Sequence, residues 1–169
     1  MRSFFHRHQP HACLPCWAKA GLGTFAAFLA AALIGDVADA TMIIAPMGAS
    51  AVLIFGIPES PLSQPAHVIG GHVIAALVAL AADHILPPGP WSLAGTVGFV
   101  IFLVGLMRLS HPPAGATALV VMTTHPAWSF VFTPVLSGAL TLLLVALLVH
   151  RLPPRSVYPL PVPGKTSGE

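Results

Sequence analysis

Apolar residues fill six stretches of this chain, and short polar or proline-rich segments separate them. A membrane-crossing helix needs about 20 apolar residues, and the first, third, fourth and sixth stretches approach that length. The second stretch is interrupted by Pro46, and the fifth starts at Pro113 and already ends near Thr124. The pattern predicts an all-α fold, a polytopic membrane helical bundle in which each half has a long helix, a short broken helix and a long helix. The predicted stretches are residues 19–34, 41–57, 68–85, 92–109, 113–124 and 128–149.

One sequence phrase occurs twice in the chain. Residues 46–53 read PMGASAVL, and residues 113–120, at an offset of 67 positions (113 − 46), read PAGATALV. The same offset aligns residues 68–71 with residues 135–138. Proline- and glycine-interrupted apolar segments at matching places in two halves are typical of duplicated transporters. We therefore expect an internal duplication with halves at about 20–86 and 92–152, a basic tail with histidines and cysteines at 1–19, and a disordered proline-rich tail at 153–169.

The composition argues against a water-soluble domain. Hydrophobic residues make up 56% of the chain and charged residues 7%, whereas soluble domains have roughly 25% charged residues. The formal net charge is +2 and the basic residues lie mostly near the two chain ends, which bears on membrane topology and predicts no nucleic-acid partner. Because cytoplasmic loops are rich in Lys and Arg, we expect both termini in the cytoplasm and a multi-pass protein of the cell's inner (cytoplasmic) membrane.

The charge of the connector between the two halves is a second indication of the membrane topology. Residues 87–93 contain no Lys or Arg, so the connector is expected on the side opposite the termini. Three crossings per half would place it there and make the halves an inverted repeat. Two crossings per half would make the halves parallel, and the sequence favours the inverted arrangement.

The two short segments are expected to be broken helices. Proline fits the first turn of a helix and pushes the preceding residue into an extended conformation, so Ala45 and Pro112 are predicted to be extended. Irregular backbone at membrane depth must be buried by protein or line a watery cavity. Two ordinary proline-kinked spanning helices are the alternative.

In an inverted repeat the N-termini of the two half-helices would face each other near the membrane midplane. Helix N-termini carry unpaired N–H groups and a partial positive charge, which suits an anion. The same small residues also favour close helix packing. The candidate binding residues in these segments are Pro46, Gly48, Ala49, Ser50, Pro112, Pro113, Gly115, Ala116 and Thr117.

Further candidates are ionisable or amide side chains near these segments. Arg108 would attract the anion, although it could instead extend to the membrane interface. His111 would donate to the anion or change its charge near neutral pH, or it would tie unpaired backbone carbonyls. Gln64 and His72 are second-tier candidates. The long segments hold no internal carboxylate, which favours a uniporter, a channel or histidine-based proton coupling.

The N-terminal tail contains two cysteines, Cys13 and Cys16, preceded by several histidines. This spacing would allow a small metal site, but a solvated tail with reduced thiols is the expected structure. We therefore expect no metal and no cofactor.

Four of these motifs together resemble the HPP family of integral membrane proteins, which is named after the His-Pro-Pro found here at residues 111–113. The motifs lie at residues 45–53, 60–65, 68–72 and 111–118, and the resemblance covers roughly residues 20–152. It implies a small membrane domain of four or more helices, and plant and cyanobacterial members are linked to nitrite transport. Some bacterial members carry an added nucleotide-sensing domain. This chain departs from the family at Met47, where Phe is usual, and at residues 66–67, where Ala-His replaces Arg-Asn.

The sequence as a whole predicts an integral membrane transporter or channel for a small inorganic anion, with nitrite as the leading substrate. A non-transporting membrane scaffold or sensor is the alternative. An enzyme is not expected, because Ser50 and His111 are the one available nucleophile–base pair and nothing in the sequence orients the histidine. The expected partners are the lipid bilayer, the small anion and further copies of the chain.

Overall fold

The computed structural model describes residues 5–6 and 13–162, and its regular elements in that part of the chain are all helical. The predicted all-α fold is therefore confirmed. Three helices are long and apolar enough to cross a membrane, namely Leu14–Ala38, Pro65–Ile85 and the irregular Trp128–Val149. The α-helices are α1 (Leu14–Ala38), α2 (Ala45–Gly56), α3 (Pro65–Ile85), α4 (Pro90–Leu106), α5 (Pro113–Thr124) and α6 (Ser137–Val149).

Helix α2 runs back along α1. A Cβ atom on Gly56, at the end of α2, would lie 2.9 Å from the ring of Trp17, near the start of α1. The residue before α2, Ile44, is extended with φ −128° and ψ 150°. The broken second segment is therefore an extended stretch followed by a half-helix, as predicted.

Helix α5 runs in the same direction as α3. The start of α5 lies beside the start of α3, where a Cβ on Gly71 would be 2.8 Å from the Cβ of His111. The ends of the two helices also meet, because His125 Nδ1 lies 2.7 Å from the Asp83 carboxylate. Each half thus has a long, a short and a long helix in order, while three crossings per half and the duplication itself stay predictions.

The backbone before the half-helices differs from the prediction at two residues. Ala45 is the first helical residue of α2 rather than extended, because the carbonyl of Ile44 already accepts the N–H of Met47. Pro112 has helical angles of φ −51° and ψ −39°. Its carbonyl accepts the N–H of Gly115, so Pro112 caps the N-terminus of α5 with helical rather than extended angles.

The N-terminal end also differs from the prediction. Helix α1 begins at Leu14 rather than near Lys19, so the part of the tail after Cys13 is helical. Cys13 and Cys16 form a disulfide with their Cα atoms 5.2 Å apart, and the expectation of reduced thiols was wrong. The helical turn explains the pairing, because residues three apart lie on the same face of a helix.

Residues 153–162, which we call the C-terminal strap, pack against the bundle instead of being disordered. Tyr158 Oη donates to the carbonyl of Ser63 at 2.8 Å, and the Leu160 N–H donates to Gln64 Oε1 at 2.8 Å. Burial raises the pKa of the Tyr158 hydroxyl above its ordinary value. Lys19 Nζ donates to the carbonyl of Pro154, so both ends of the described chain lie on one face of the bundle. Residues 163–169 of the predicted tail lie outside the described residues.

The outer surface of the bundle is apolar. Large hydrophobic side chains on α1 and α4, among them Phe25, Leu33, Phe99 and Phe102, are about half exposed or more. Such a continuous apolar surface is not tolerated in water, and here it faces the hydrocarbon of the bilayer.

Candidate functional site

Four polar side chains meet in the middle of the bundle, and we call them the tetrad. They are Ser50 on α2, His72 on α3, His111 immediately before α5, and Thr117 on α5. Each is at most 2% exposed. Ser50 and Thr117 occupy equivalent positions of the repeated phrase, so the tetrad joins the two broken helices at matching places.

The tetrad is a continuous chain of short hydrogen-bond contacts. Ser50 Oγ lies 2.8 Å from His72 Nε2 and 2.9 Å from His111 Nε2. The other ring nitrogen of His72, Nδ1, lies 2.7 Å from Thr117 Oγ1. His111 Nδ1 lies 2.8 Å from the carbonyl oxygen of Leu62. All four ring nitrogens of the two histidines therefore have a partner.

A glycine allows the two histidine segments to approach each other. A side chain at Gly71 would collide with His111, because its Cβ would lie 2.8 Å from the Cβ of that histidine. The two imidazole rings then meet edge to face with their centres 4.9 Å apart. The small residue before His72 is thus what brings His111 within reach of Ser50.

Gln64 holds the turn that presents the Leu62 carbonyl. Its amide nitrogen donates to the carbonyls of Pro58 at 2.8 Å and Ser60 at 2.9 Å, and its oxygen accepts from the Leu160 N–H. The second-tier candidate Gln64 therefore ties a loop to the C-terminal strap and does not contact the tetrad.

The predicted candidates separate into three groups in the structure. Ser50, His111 and Thr117, together with the second-tier His72, come together in the tetrad. Pro46 and Pro113 are buried at the starts of their helices, and the Pro46 carbonyl accepts a longer contact of 3.3 Å from Ser50 Oγ. The remaining residues are not part of this buried cluster: Gly48, Ala49, Arg108 and Pro112 are exposed, and Gly115 and Ala116 are half-buried.

Arg108 does not point into the bundle centre. It is exposed, with φ 57°, at the end of α4. The prediction that it attracts an anion to the centre has no support in this geometry, and the alternative of an interfacial arginine agrees with it.

Backbone N–H groups are less available for an anion than the sequence predicted. The N–H of Met47 donates to Ile44 at 2.9 Å, that of Ala114 to His111 at 2.8 Å, and that of Gly115 to Pro112 at 3.2 Å. These first-turn bonds satisfy groups that were expected to be unpaired. Polar chemistry at the centre of the bundle therefore comes from the side chains of the tetrad.

Sequence reasoning missed one feature of this site and ranked another too low. The Leu62 carbonyl has no sequence signal, since any residue presents a carbonyl and the loop fold decides which one is aimed inward. His72 was ranked too low, although a histidine beside Gly70-Gly71 in an otherwise apolar helix was a usable signal.

The surroundings of the tetrad are apolar and uncharged. Helices α2, α4, α5 and α6 carry no ionisable side chain within their spans. His67 on α3 is the ionisable neighbour that acts electrostatically on His111. Within the described residues no group of His, Cys, Asp and Glu side chains could hold a metal ion.

The tetrad is closed to solvent in this conformation. Surface cavities of the described chain lie elsewhere, for example one of about 340 Å³ lined by Cys13, Trp17 and Glu59, and others near Asp39 and near His125. The contact between the two broken helices is therefore polar and closed.

Comparison with known proteins places the chain in a family. The family model described as the HPP transmembrane region matches residues 9–159. Two proteins of Dictyostelium discoideum, each named a transmembrane protein, are 40% identical over 82% of this chain and 36% identical over 72% of it. The matched parts cover 53% and 42% of those proteins, so the chain spans about half the length of these relatives. No solved structure matches the chain. With its family model matched over most of its length, the chain belongs to the HPP transmembrane region family and is a multi-pass integral membrane protein.

Proposed function

We propose that this protein is a transporter or channel for a small inorganic anion, with the tetrad as its central site and nitrite as the first substrate to test. The observation that carries the proposal is the buried junction of the two broken helices, in which Ser50 and Thr117 are bridged by His72. Broken helices that meet near the middle of a membrane domain are the usual place of transporter substrate sites.

Stability alone is a poor explanation for the tetrad. Interhelical hydrogen bonds inside membrane proteins contribute on average about 0.6 kcal/mol each, so apolar packing at these four positions would stabilise the bundle about as well. Polar residues inside a membrane domain are by default functional candidates. A role in function therefore explains these buried polar residues better than a contribution to the stability of the fold.

The chemistry of the tetrad suits a small anion. Two imidazole rings and two hydroxyl groups supply N–H and O–H donors, and the apolar surroundings strengthen any electrostatic contact they make. A protonated histidine would add a positive charge without a fixed Arg or Lys at the centre. The substrate must be small, because Ser50, His72 and Thr117 are almost fully buried and the bundle must open to admit it.

The proposal also covers the orientation of the protein in the membrane, and it does not include an enzymatic activity. Both ends of the described chain lie on one face of the bundle, where Lys19 and the strap meet, and the positive-inside rule assigns that face to the cytoplasm of the inner membrane. The Cys13–Cys16 disulfide near Lys19 argues the other way, because cytoplasmic thiols are mostly reduced. We do not propose an enzyme: Ser50 Oγ touches two histidines, but His111 is oriented by a backbone carbonyl rather than by a carboxylate. Association of several copies in the bilayer also stays a proposal.

The test is anion uptake into proteoliposomes that contain the purified protein. Nitrite, nitrate, formate and chloride are compared for the wild type and for His111→Asn, which keeps a donor for the Leu62 carbonyl but no longer reaches Ser50. Thr96→Val is the matched control, because the Thr96 hydroxyl is buried and has no hydrogen-bond partner.

We expect uptake of nitrite by the wild type and by Thr96→Val, and its loss in His111→Asn. Absence of uptake of all four anions by folded wild-type protein would contradict the proposal. It would favour the alternative, a membrane scaffold or sensor.

A further inference from the structure

The hydrogen-bond chain of the tetrad has a direction that the carbonyl of Leu62 imposes. A carbonyl oxygen accepts and never donates, so the Nδ1 atom of His111, 2.8 Å away, must carry a hydrogen. In the neutral ring the other nitrogen, Nε2, then has a lone pair and accepts. Its neighbour at 2.9 Å is Ser50 Oγ, which therefore donates its single hydrogen to His111 rather than to the more distant Pro46 carbonyl at 3.3 Å.

The remaining two contacts follow from that assignment. Because the hydrogen of Ser50 is used, its oxygen accepts from His72 Nε2 at 2.8 Å, and His72 carries its hydrogen on that nitrogen. His72 Nδ1 then accepts from the hydroxyl of Thr117 at 2.7 Å. With both histidines neutral, one arrangement satisfies all four contacts, and every bond donates from Thr117 towards Leu62.

Such a chain can pass a proton by exchanging hydrogen bonds for covalent bonds. A proton that reaches Thr117 Oγ1 displaces the hydroxyl hydrogen onto His72 Nδ1. The hydrogen on His72 Nε2 moves to Ser50, and the hydrogen of Ser50 moves to His111 Nε2. One proton enters at Thr117, each O–H or N–H bond that breaks is replaced by one that forms, and one positive charge appears on His111. Because the Leu62 carbonyl cannot take up a proton, the proton leaves by the same exchanges in reverse, which return it to Thr117 and restore the starting arrangement.

Among the described residues, the contacts of His111 are with Ser50, His72 and the Leu62 carbonyl, and none of them is with a carboxylate. Helices α2, α4, α5 and α6 offer no ionisable side chain in their spans, and the α3 neighbour His67 is not acidic. Among the ionisable groups nearer the ends, Arg108 is exposed, and Glu59 lies in the loop before Gln64. A buried charge without a partner is costly, so the imidazolium at His111 is stable only when an anion binds beside it.

We infer from this geometry that the tetrad is a proton relay and that the protein carries its anion together with one proton, from Thr117 through His72 and Ser50 to His111. The inference rests on the proposed function, because it names the second substrate of the same site. Transport is then electroneutral for a monovalent anion. A simple anion channel would move net charge instead.

The experiment separates the relay from the proposed function. Vesicles with purified protein are loaded with potassium and a pH-sensitive dye, nitrite is added outside, and valinomycin sets the membrane potential. Protein-free vesicles of the same lipid measure the leak of undissociated acid. Uptake of nitrite tests the proposed function, while its response to potential and the accompanying internal acidification test the relay.

For the wild type we expect nitrite uptake that does not change with membrane potential and is matched by one proton per anion. Thr117→Val removes the first donor and should lose the coupled proton movement, whereas Thr117→Ser keeps a hydroxyl and should retain it. Thr96→Val should behave as the wild type. Uptake that rises with an inside-positive potential and carries no proton would overturn the relay and leave the anion transporter standing.

A second readout does not depend on transport. Nitrogen-15 NMR of histidine-labelled protein in bilayers distinguishes a ring N–H at Nδ1 from one at Nε2. The relay requires the hydrogen on Nδ1 in His111 and on Nε2 in His72. The opposite form of His72 would overturn the assigned direction even if nitrite transport is observed.

Discussion

Replacing Ser50 by Ala tests whether the tetrad exists as described. Ser50 Oγ contacts His72 Nε2 at 2.8 Å and His111 Nε2 at 2.9 Å, so the substitution removes two hydrogen bonds and one oxygen atom. Hydrogen bonds inside membrane proteins contribute about 0.6 kcal/mol on average and about 1.7 kcal/mol at most. Two of them amount to about 1–3 kcal/mol.

The upper half of that range applies here. His72 and His111 are 0% and 2% exposed, so after the substitution their Nε2 atoms stay buried without a partner, which adds a desolvation cost. We therefore expect a loss of about 2–3 kcal/mol. For a chain of this length each kcal/mol corresponds to about 2–4 °C, which gives a decrease in melting temperature of about 4–12 °C.

The assay is thermal unfolding in detergent, followed by tryptophan fluorescence. Thr96→Val is the control, because it also removes one buried hydroxyl oxygen, but one without a hydrogen-bond partner. The control should melt at or above the wild-type temperature, since a buried polar atom without a partner is itself unfavourable. If Ser50→Ala melts like the wild type, or if both variants lose stability equally, Ser50 does not connect the two histidines.

Three further predictions follow from other contacts. Gly71→Ala should lower the melting temperature and nitrite uptake, because its Cβ would meet His111 at 2.8 Å, whereas Gly98→Ala on α4 meets nothing within 4 Å and should be neutral or stabilising. Gln64→Ala removes two hydrogen bonds within the loop and one to the Leu160 N–H of the strap, so trypsin should cleave at Arg155 faster. Ser92→Ala near the connector should not change that rate. Burial lowers the pKa of His150 from its ordinary value of 6.5. If Nδ1 were protonated, its N–H would find no acceptor, because this buried atom has no hydrogen-bond partner. The stability that the neutral ring contributes is complete above about pH 6.5 and is lost as the pH falls towards the lower folded pKa, so unfolding scans from about pH 7.5 to 5 should show a smaller decline for His150→Gln than for the wild type.

The helices could be predicted from the sequence because each apolar stretch is bounded by strong signals. Proline opens the half-helices at Pro46 and Pro113, and Pro87-Pro88-Gly89-Pro90 marks the connector. The structure begins α5 at Pro113 and ends it at Thr124, as the sequence predicts. Local sequence decides these boundaries because proline and glycine act through backbone geometry alone.

The site could be predicted in part. The repeated phrase identified Ser50 and Thr117, and the His-Pro-Pro motif identified His111, but side-chain direction is decided by packing. Helix α2 presents Ser50 inward and Gly48 outward, and no repeat pattern separates these two. Arg108 is a second example of a side-chain direction that the sequence does not reveal. Its charge suggested a place in the site, but its left-handed backbone conformation at the end of α4 leaves it on the surface.

The C-terminal end of the described chain was predicted least well, for one physical reason. The C-terminal strap is held by Tyr158 and by the Leu160 N–H, whose partners lie about 95 residues earlier in the chain. Composition suggested disorder for a proline-rich segment, but pairings between distant parts of the sequence are invisible to local patterns.

The measurement that tests the account most directly is nitrite uptake into proteoliposomes by the wild type, Ser50→Ala and Thr96→Val, compared at equal amounts of folded protein. The account predicts uptake by the wild type and by Thr96→Val, and its loss in Ser50→Ala. The reason is that Ser50 Oγ is the atom that forms hydrogen-bond contacts with both histidines. Equal uptake by all three proteins would contradict a central role for the tetrad, and no uptake by the folded wild type would contradict anion transport itself.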